Sequence, residues 1–170
     1  MTDPMLWFAN RGTGVVLLVL LTFSTILGVL SGARVTTRIW PRMLSQGLHR
    51  NVSLLAVAML AAHAVTAVVD SFVDIRWWHA FVPFAGTYKT IWLGFGALAL
   101  DLLIAVTLTS LLRHRMSHRP WRPVHTLSYA AWALGLFHGM QMGMDPVPVW
   151  AARGNRRWLV GRPLPRPALP

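Results

Sequence analysis

The chain has 170 residues, 55% of them hydrophobic and only 12% charged, against roughly 25% charged in a soluble domain. Its charge is one-sided: 16 Lys+Arg stand against 5 acidic residues, all of them Asp, for a net charge of +11. With no Cys, disulfides, thiolate-held iron–sulfur clusters and covalent C-x-x-C-H haem attachment are excluded, and because the Arg residues punctuate long apolar runs, a basic nucleic-acid-binding fold is excluded in favour of a membrane one.

Four runs are long enough for a bilayer core of about 30 Å, which takes roughly 20 apolar residues. The first lies between Arg11 and Arg34 and predicts a helix over about 13–33. Ser31, Gly32 and Ala33 are small enough for a leader-cleavage site. The apolar run is nevertheless longer than the roughly 7–15 residues of a signal-peptide core, and a retained helix is expected. The second run, Asn51 to Val69, predicts a helix over 48–70. The third lies between Lys89 and Arg113, interrupted only by Asp101, and predicts 90–112. Asp101 would either relay a proton or hydrogen-bond a Thr or Ser across helices, and the structural role is the expectation. Within this run Gly94-Phe95-Gly96-Ala97-Leu98-Ala99 fits G-x-G-x-x-A, but no strand precedes it and no nucleotide site is implied. The fourth run, between Arg122 and Asp145, predicts 123–144.

The expected fold is therefore all-α and integral to the membrane: a four-helix transmembrane bundle over residues 1–145, with lipid as its first partner. Residues 146–170 are rich in Pro and Arg and predict a disordered tail, with the composition of a truncated or frameshifted end. Arg34, Arg38, Arg42 and Arg50 in the first loop and Arg113, Arg115, Arg119 and Arg122 in the third outnumber Arg11, Arg76 and Lys89 on the other side. The positive-inside trend then places the N-terminus outside. Trp77, Trp78 and Phe81 form an outer interfacial belt.

Four of the seven His form a pattern. His49 and His63 are 14 apart on the second helix, and His125 and His138 are 13 apart on the fourth. At 1.5 Å per residue both separations are about 20 Å. The two helices run parallel, so His49 lies level with His125 and His63 with His138. Each level offers two imidazoles from facing helices, as six-coordinate haem iron requires, and the expectation is two stacked b-type haems between helices 2 and 4. Fourteen residues return a helix to the same face whereas thirteen do not. A tighter 3₁₀ winding near Pro123 is expected to bring His125 round. Arg50 and Arg122 flank the inner level, where they would either pair with haem propionates or snorkel to the interface. Gly135, Gly139 and Gly143 would serve either helix packing or the clearance of a flat macrocycle. His79, His114 and His118 read as interfacial or solvated. The competing reading of the four His is a non-redox membrane scaffold in which they only bridge helices by hydrogen bonds.

The segments Leu48-His49-Arg50-Asn51-Val52-Ser53-Leu54-Leu55, His63, Thr109-Ser110-Leu111-Leu112-Arg113, Trp121-Arg122-Pro123-Val124-His125, Tyr129-Ala130-Ala131-Trp132 and His138-Gly139, with Gly143 and Asp145, carry a resemblance. The chain resembles the ferric reductase-like transmembrane domain family over about 10–145. That family includes the haem-bearing membrane part of ferric reductases and NADPH oxidases and the haem subunit of a bacterial methionine sulfoxide reductase system. The resemblance implies transmembrane electron transfer through two bis-histidine haems, with His49, His63, His125 and His138 as iron ligands. It implies a multi-pass protein of a bacterial inner membrane and a soluble or membrane redox partner. Flavin would sit only on that separate partner, a flavoprotein or other oxidoreductase, since no flavin or NADPH domain follows the helices here.

The topology is checked by cysteine accessibility in intact cells. Ser45→Cys and Ser117→Cys should be shielded from an impermeant thiol reagent, and Thr87→Cys should react. External labelling at position 45 would invert the orientation.

Overall fold

The computed structural model describes residues 4–33, 41–69, 76–115 and 118–143; the tail 146–170 lies outside them. Four helices are present: α1 Pro4–Gly32, α2 Arg42–Val69, α3 Thr90–Leu111 and α4 His118–Gly143. Short 3₁₀ turns occupy Trp77–Ala80 and Arg113–Arg115, and no strand occurs among the described residues. Charged residues limit an apolar run but do not end a helix, so α1, α2 and α4 begin well before the expected 13, 48 and 123. Pro4 suits the first position of α1, where its missing N–H has no intrahelical partner to lose.

Three helices, Phe8–Gly32, Arg42–Val69 and Thr90–Leu111, are long and apolar enough to cross a membrane. The fourth expected span, α4, is not among them. α4 has 26 residues, but Ser128, His138 and Gln141 in its last two-thirds lower its hydropathy below that of the others. Large apolar side chains point outward, among them Val15, Val19 and Phe23 on α1, Leu54 and Val65 on α2, Leu108 on α3 and Phe137 on α4. A water-facing monomer rarely exposes so much apolar surface; hydrocarbon is the solvent such a surface fits.

Consecutive helices pack as antiparallel pairs, α1 on α2 and α3 on α4, and α1 joins the pairs by packing on α4. The last junction is polar at two heights. Trp132 Nε1 donates to Thr22 Oγ1 at 2.9 Å. Arg11 donates to the Met142 and Gly143 carbonyls at 3.3 Å each, and Lys89 to the Gln141 carbonyl at 3.3 Å. The last carbonyls of a helix lack intrahelical donors and sit at the negative end of its dipole, so these cations cap α4.

The interior is hollow rather than packed. Its buried side chains are few and small, with Ala56, Ala97, Ala99 and Ala131 prominent among them. A cavity of about 430 Å³ opens among all four helices, lined by Leu17, Leu60, Leu103, Gly135 and other apolar groups together with His63 and His138. Two sequence expectations change here. Asp101 is half-buried and makes no hydrogen bond among the described residues; Thr90 and Thr109 on its helix bond the carbonyls of their own preceding turn, Gly86 and Ala105. Ser45 is 1% exposed and would be silent to a thiol reagent from either side; Met43, 84% exposed, reports on the same loop. The accessibility experiment therefore uses Met43→Cys, expected to be shielded while Thr87→Cys reacts.

Candidate functional site

The bundle brings the four predicted His together in two pairs. His49 and His125 have ring centres 6.1 Å apart, and His63 and His138 have them 6.3 Å apart, with the planes at 80° in both. All four rings are half-buried. No 3₁₀ winding achieves this at His125: α4 is α-helical from His118 to Gly143, with Pro123 inside it, and the 3₁₀ turn lies earlier, at Arg113–Arg115.

Each ring is aimed by its Nδ1. His63 Nδ1 donates to the Asn10 carbonyl at 3.0 Å, His49 Nδ1 to the Ser24 carbonyl at 2.9 Å, and His138 Nδ1 to the Trp92 carbonyl at 2.8 Å. A carbonyl can only accept, so these three imidazoles carry their proton on Nδ1 and present a bare lone pair at Nε2. His125 Nδ1 meets the Ser110 hydroxyl at 3.3 Å, a partner that serves in either role. Among the described residues no Nε2 of the four has a hydrogen-bond partner. The helices divide the work. α1 orients both rings of α2, and α3 orients both rings of α4.

The local reason is a glycine one turn beyond each carbonyl acceptor: Gly14 after Asn10, Gly28 after Ser24, and Gly96 after Trp92. Side chains on a helix lean toward its N-terminus, so the residue at i+4 overlies the carbonyl of residue i. With glycine there, the carbonyl's second lone pair is bare and an imidazole can reach it. A Cβ built on Gly14 would lie 3.0 Å from the His63 ring, and one on Gly28 3.4 Å from His49. One on Gly96 would lie 2.6 Å from His138. Asn10 adds a bond of its own, its Nδ2 donating to the His63 carbonyl at 3.0 Å and to Thr66 Oγ1 at 3.2 Å.

On α1 the acceptors repeat with the His spacing of α2: Asn10 and Ser24 are 14 apart, and so are Gly14 and Gly28, whereas the α3 partners Trp92 and Ser110 are 18 apart. Sequence reading took the 14-residue interval only from the His; the same interval in the first helix was the signal for the partners of His49 and His63. It also missed Trp121, whose ring stacks on His125 at 4.7 Å and 20°.

Other predicted residues fall outside the pairs. Arg50 and Arg122 are exposed and bond to no described residue. His114 is exposed, and the side chain of His118 lies outside the described residues. His79, expected at the interface, lines the cavity, and its Nδ1 accepts the Arg76 N–H at 3.1 Å. Gly135, Gly139 and Gly143 also line that cavity, and a Cβ on Gly135 or Gly143 would meet nothing within 4 Å. The stripe thus gives clearance at Gly135 and Gly143, while a Cβ on Gly139 would touch Leu18 of α1 at 3.7 Å. Among the described residues, no group of three or more His, Cys, Asp or Glu could hold a metal ion.

Residues 5–145 match the family described as a domain of unknown function (DUF8596), and the chain belongs to that family. No curated protein and no solved structure matches the chain.

The glycine contacts make a prediction with opposite signs. Gly96→Ala should cost about 1–3 kcal/mol of stability, the usual penalty of overpacking. Gly135→Ala, which meets open space, should be neutral or gain up to about 1 kcal/mol from better helix propensity. Thermal unfolding in detergent of the two variants beside the parent measures the difference; equal behaviour would contradict the role given to Gly96.

Proposed function

We propose that this chain is the haem-bearing membrane component of a ferric reductase-like oxidoreductase. In this reading it transfers electrons across the bilayer through two b-type haems, one on His49 and His125, the other on His63 and His138. One observation carries the reading: two facing imidazole pairs whose Nδ1 atoms are engaged on their own side and whose Nε2 atoms are free.

The dimensions fit an iron between each pair. A metal–imidazole bond is about 2.0 Å and the ring centre lies about 1.2 Å beyond the nitrogen, so two imidazoles across one ion have centres about 6.4 Å apart. The observed 6.1 and 6.3 Å lie close to that. A free zinc ion takes three or four protein ligands, more than either pair provides. Iron held in a macrocycle asks the protein only for axial ligands. Metal-bound His characteristically donate their second nitrogen to a carbonyl or carboxylate, which fixes ring and tautomer. Three of the four do so here.

When bound, the haems supply one-electron redox chemistry. The chain's residues do the rest. Asn10, Ser24, Trp92 and Ser110 hold the rings. Leu17, Leu60 and Leu103 keep the cavity dry, and the glycine stripe leaves room for a flat group. The 14 residues from His49 to His63 set the two levels about 21 Å apart, one toward each face of the membrane. α4 would then be the fourth crossing, its polar residues turned to the cofactors, with the N-terminus outside. Arg50 and Arg122, exposed beside the inner level, are available to haem propionates. A separate flavoprotein or other oxidoreductase would exchange electrons with this subunit.

Pyridine haemochrome analysis of detergent-purified protein should give close to two haems per chain. His63→Ala and His138→Ala should each remove the same haem, and His49→Ala and His125→Ala the other. A stoichiometry near zero after expression with ample haem would leave the helix-bridging scaffold as the better reading.

A further inference from the structure

The two His levels share spacing and differ in surroundings. At the inner level the Trp121 ring lies parallel to the His125 ring, centres 4.7 Å apart at 20°. The Arg113 guanidinium lies over the same indole, 4.7 Å from its centre. Two steps of 4.7 Å put that charge no further than about 9.4 Å from the imidazole centre. At the outer level no ring stacks on His63 or His138 among the described residues.

We propose that Arg113 and Trp121 are positioning residues for the inner haem: the indole sets the plane of the His125 ring and the guanidinium raises the reduction potential of the iron that ring would bind. The inference rests on the haem reading above and goes beyond ligation.

Its physical basis has two parts. His125 is the one ligand whose Nδ1 meets a rotatable hydroxyl instead of a helix carbonyl, at 3.3 Å against 2.8–3.0 Å for the others. Its ring is therefore the least constrained by hydrogen bonding, and a flat indole against its face supplies the missing restraint. Offset aromatic stacking adds to burial on a scale comparable to one hydrogen bond. The second part is electrostatic. Reduction adds one negative charge to the iron centre. A fixed cation nearby favours the reduced form, by an amount that solvent at the exposed Arg113 side chain moderates. Arg is suited to this place because it is always charged and its planar group lies flat on an indole. Arg113 sits in the 3₁₀ turn Arg113–Arg115 that ends α3, and Trp121 lies in the first turn of α4. The connection between the two helices thus assembles the stack at the rim of the inner level. Nothing equivalent is built at the outer level, so the two sites are predicted to be inequivalent in potential.

The test is a spectroelectrochemical titration of full-length protein in detergent, with low-temperature EPR of the oxidised form. The parent should titrate in two steps, and the step missing from His49→Ala is the inner one. Arg113→Gln should keep two haems per chain and move only the inner step to a more negative potential. Trp121→Leu should shift or broaden the low-field EPR signal of the inner haem alone, and Trp121→Phe should restore most of it. If Trp121→Leu loses the inner haem outright, Arg113→Gln decides, since its side chain is exposed and its removal leaves the core intact. Two haems with unmoved potentials and unmoved EPR signals in these variants would overturn the stack's role and leave the haem reading standing. A parent without haem would overturn both.

Discussion

The structure depends on hydrogen bonds from imidazole Nδ1 atoms to carbonyls inside neighbouring transmembrane helices. A helix carbonyl already accepts from the N–H four residues on, but its second lone pair is available if nothing covers it. Glycine at i+4 uncovers it at Asn10, Ser24 and Trp92. In hydrocarbon no water competes for either partner, and an imidazole left without an acceptor there would be costly. The same bonds stitch α1 to α2 and α3 to α4 and leave the Nε2 atoms of His49, His63 and His138 without a hydrogen-bond partner among the described residues. Helix packing and ring orientation are one set of contacts.

That arrangement explains why the bundle is hollow. A soluble four-helix bundle buries its apolar side chains inward, whereas here Val, Leu and Phe residues face out and the interior holds alanines, glycines and an apolar cavity. Apolar burial gives no net drive between helices already in lipid, so van der Waals contact of small residues and interhelical hydrogen bonds must hold the bundle. α1 is the integrating element. It orients both rings of α2, bonds Trp132 through Thr22 and caps α4 through Arg11. The open interior is bounded by the His63–His138 pair, and in the proposed function a flat cofactor would occupy it.

Much of the helical architecture was legible because hydropathy and length are one-dimensional signals, and four runs separated by Arg clusters correspond to four helices. The errors came where a charged residue was taken for a helix end: Arg11, Arg50 and Arg122 all lie inside helices, their side chains long enough to reach an interface from within one. α4 is the least apolar of the four because Ser128, His138 and Gln141 interrupt its run. The matching His intervals showed which residues would face each other. They did not show what holds them, because a backbone acceptor has no residue type. Only the glycine that exposes it is written in the sequence, and Gly14 and Gly28 become meaningful when their 14-residue interval is set against that of His49 and His63. Trp121 escaped for a different reason. A stack depends on the angle at which two helices meet through a 3₁₀ turn, which no periodicity encodes. Asp101 was assigned a partner by residue type alone, and the structure gives it none among the described residues.

The asymmetry between the levels follows from the single-residue difference in His spacing. A 14-residue interval on α2 keeps His49 and His63 on one face, so α1 can serve both with the same motif, a carbonyl followed by glycine. The 13-residue interval on α4 rotates His125 well away from the face of His138. The α3 position 14 residues after Gly96 is Ser110, and it offers its hydroxyl where the other three sites offer a carbonyl. The looser bond is compensated by a ring that the outer level lacks, and that ring carries a cation. Two sites built from the same residue type at the same separation thereby acquire different electrostatic surroundings. In the proposed function this difference matters, since electron transfer along a chain of centres takes its direction from their inequivalence.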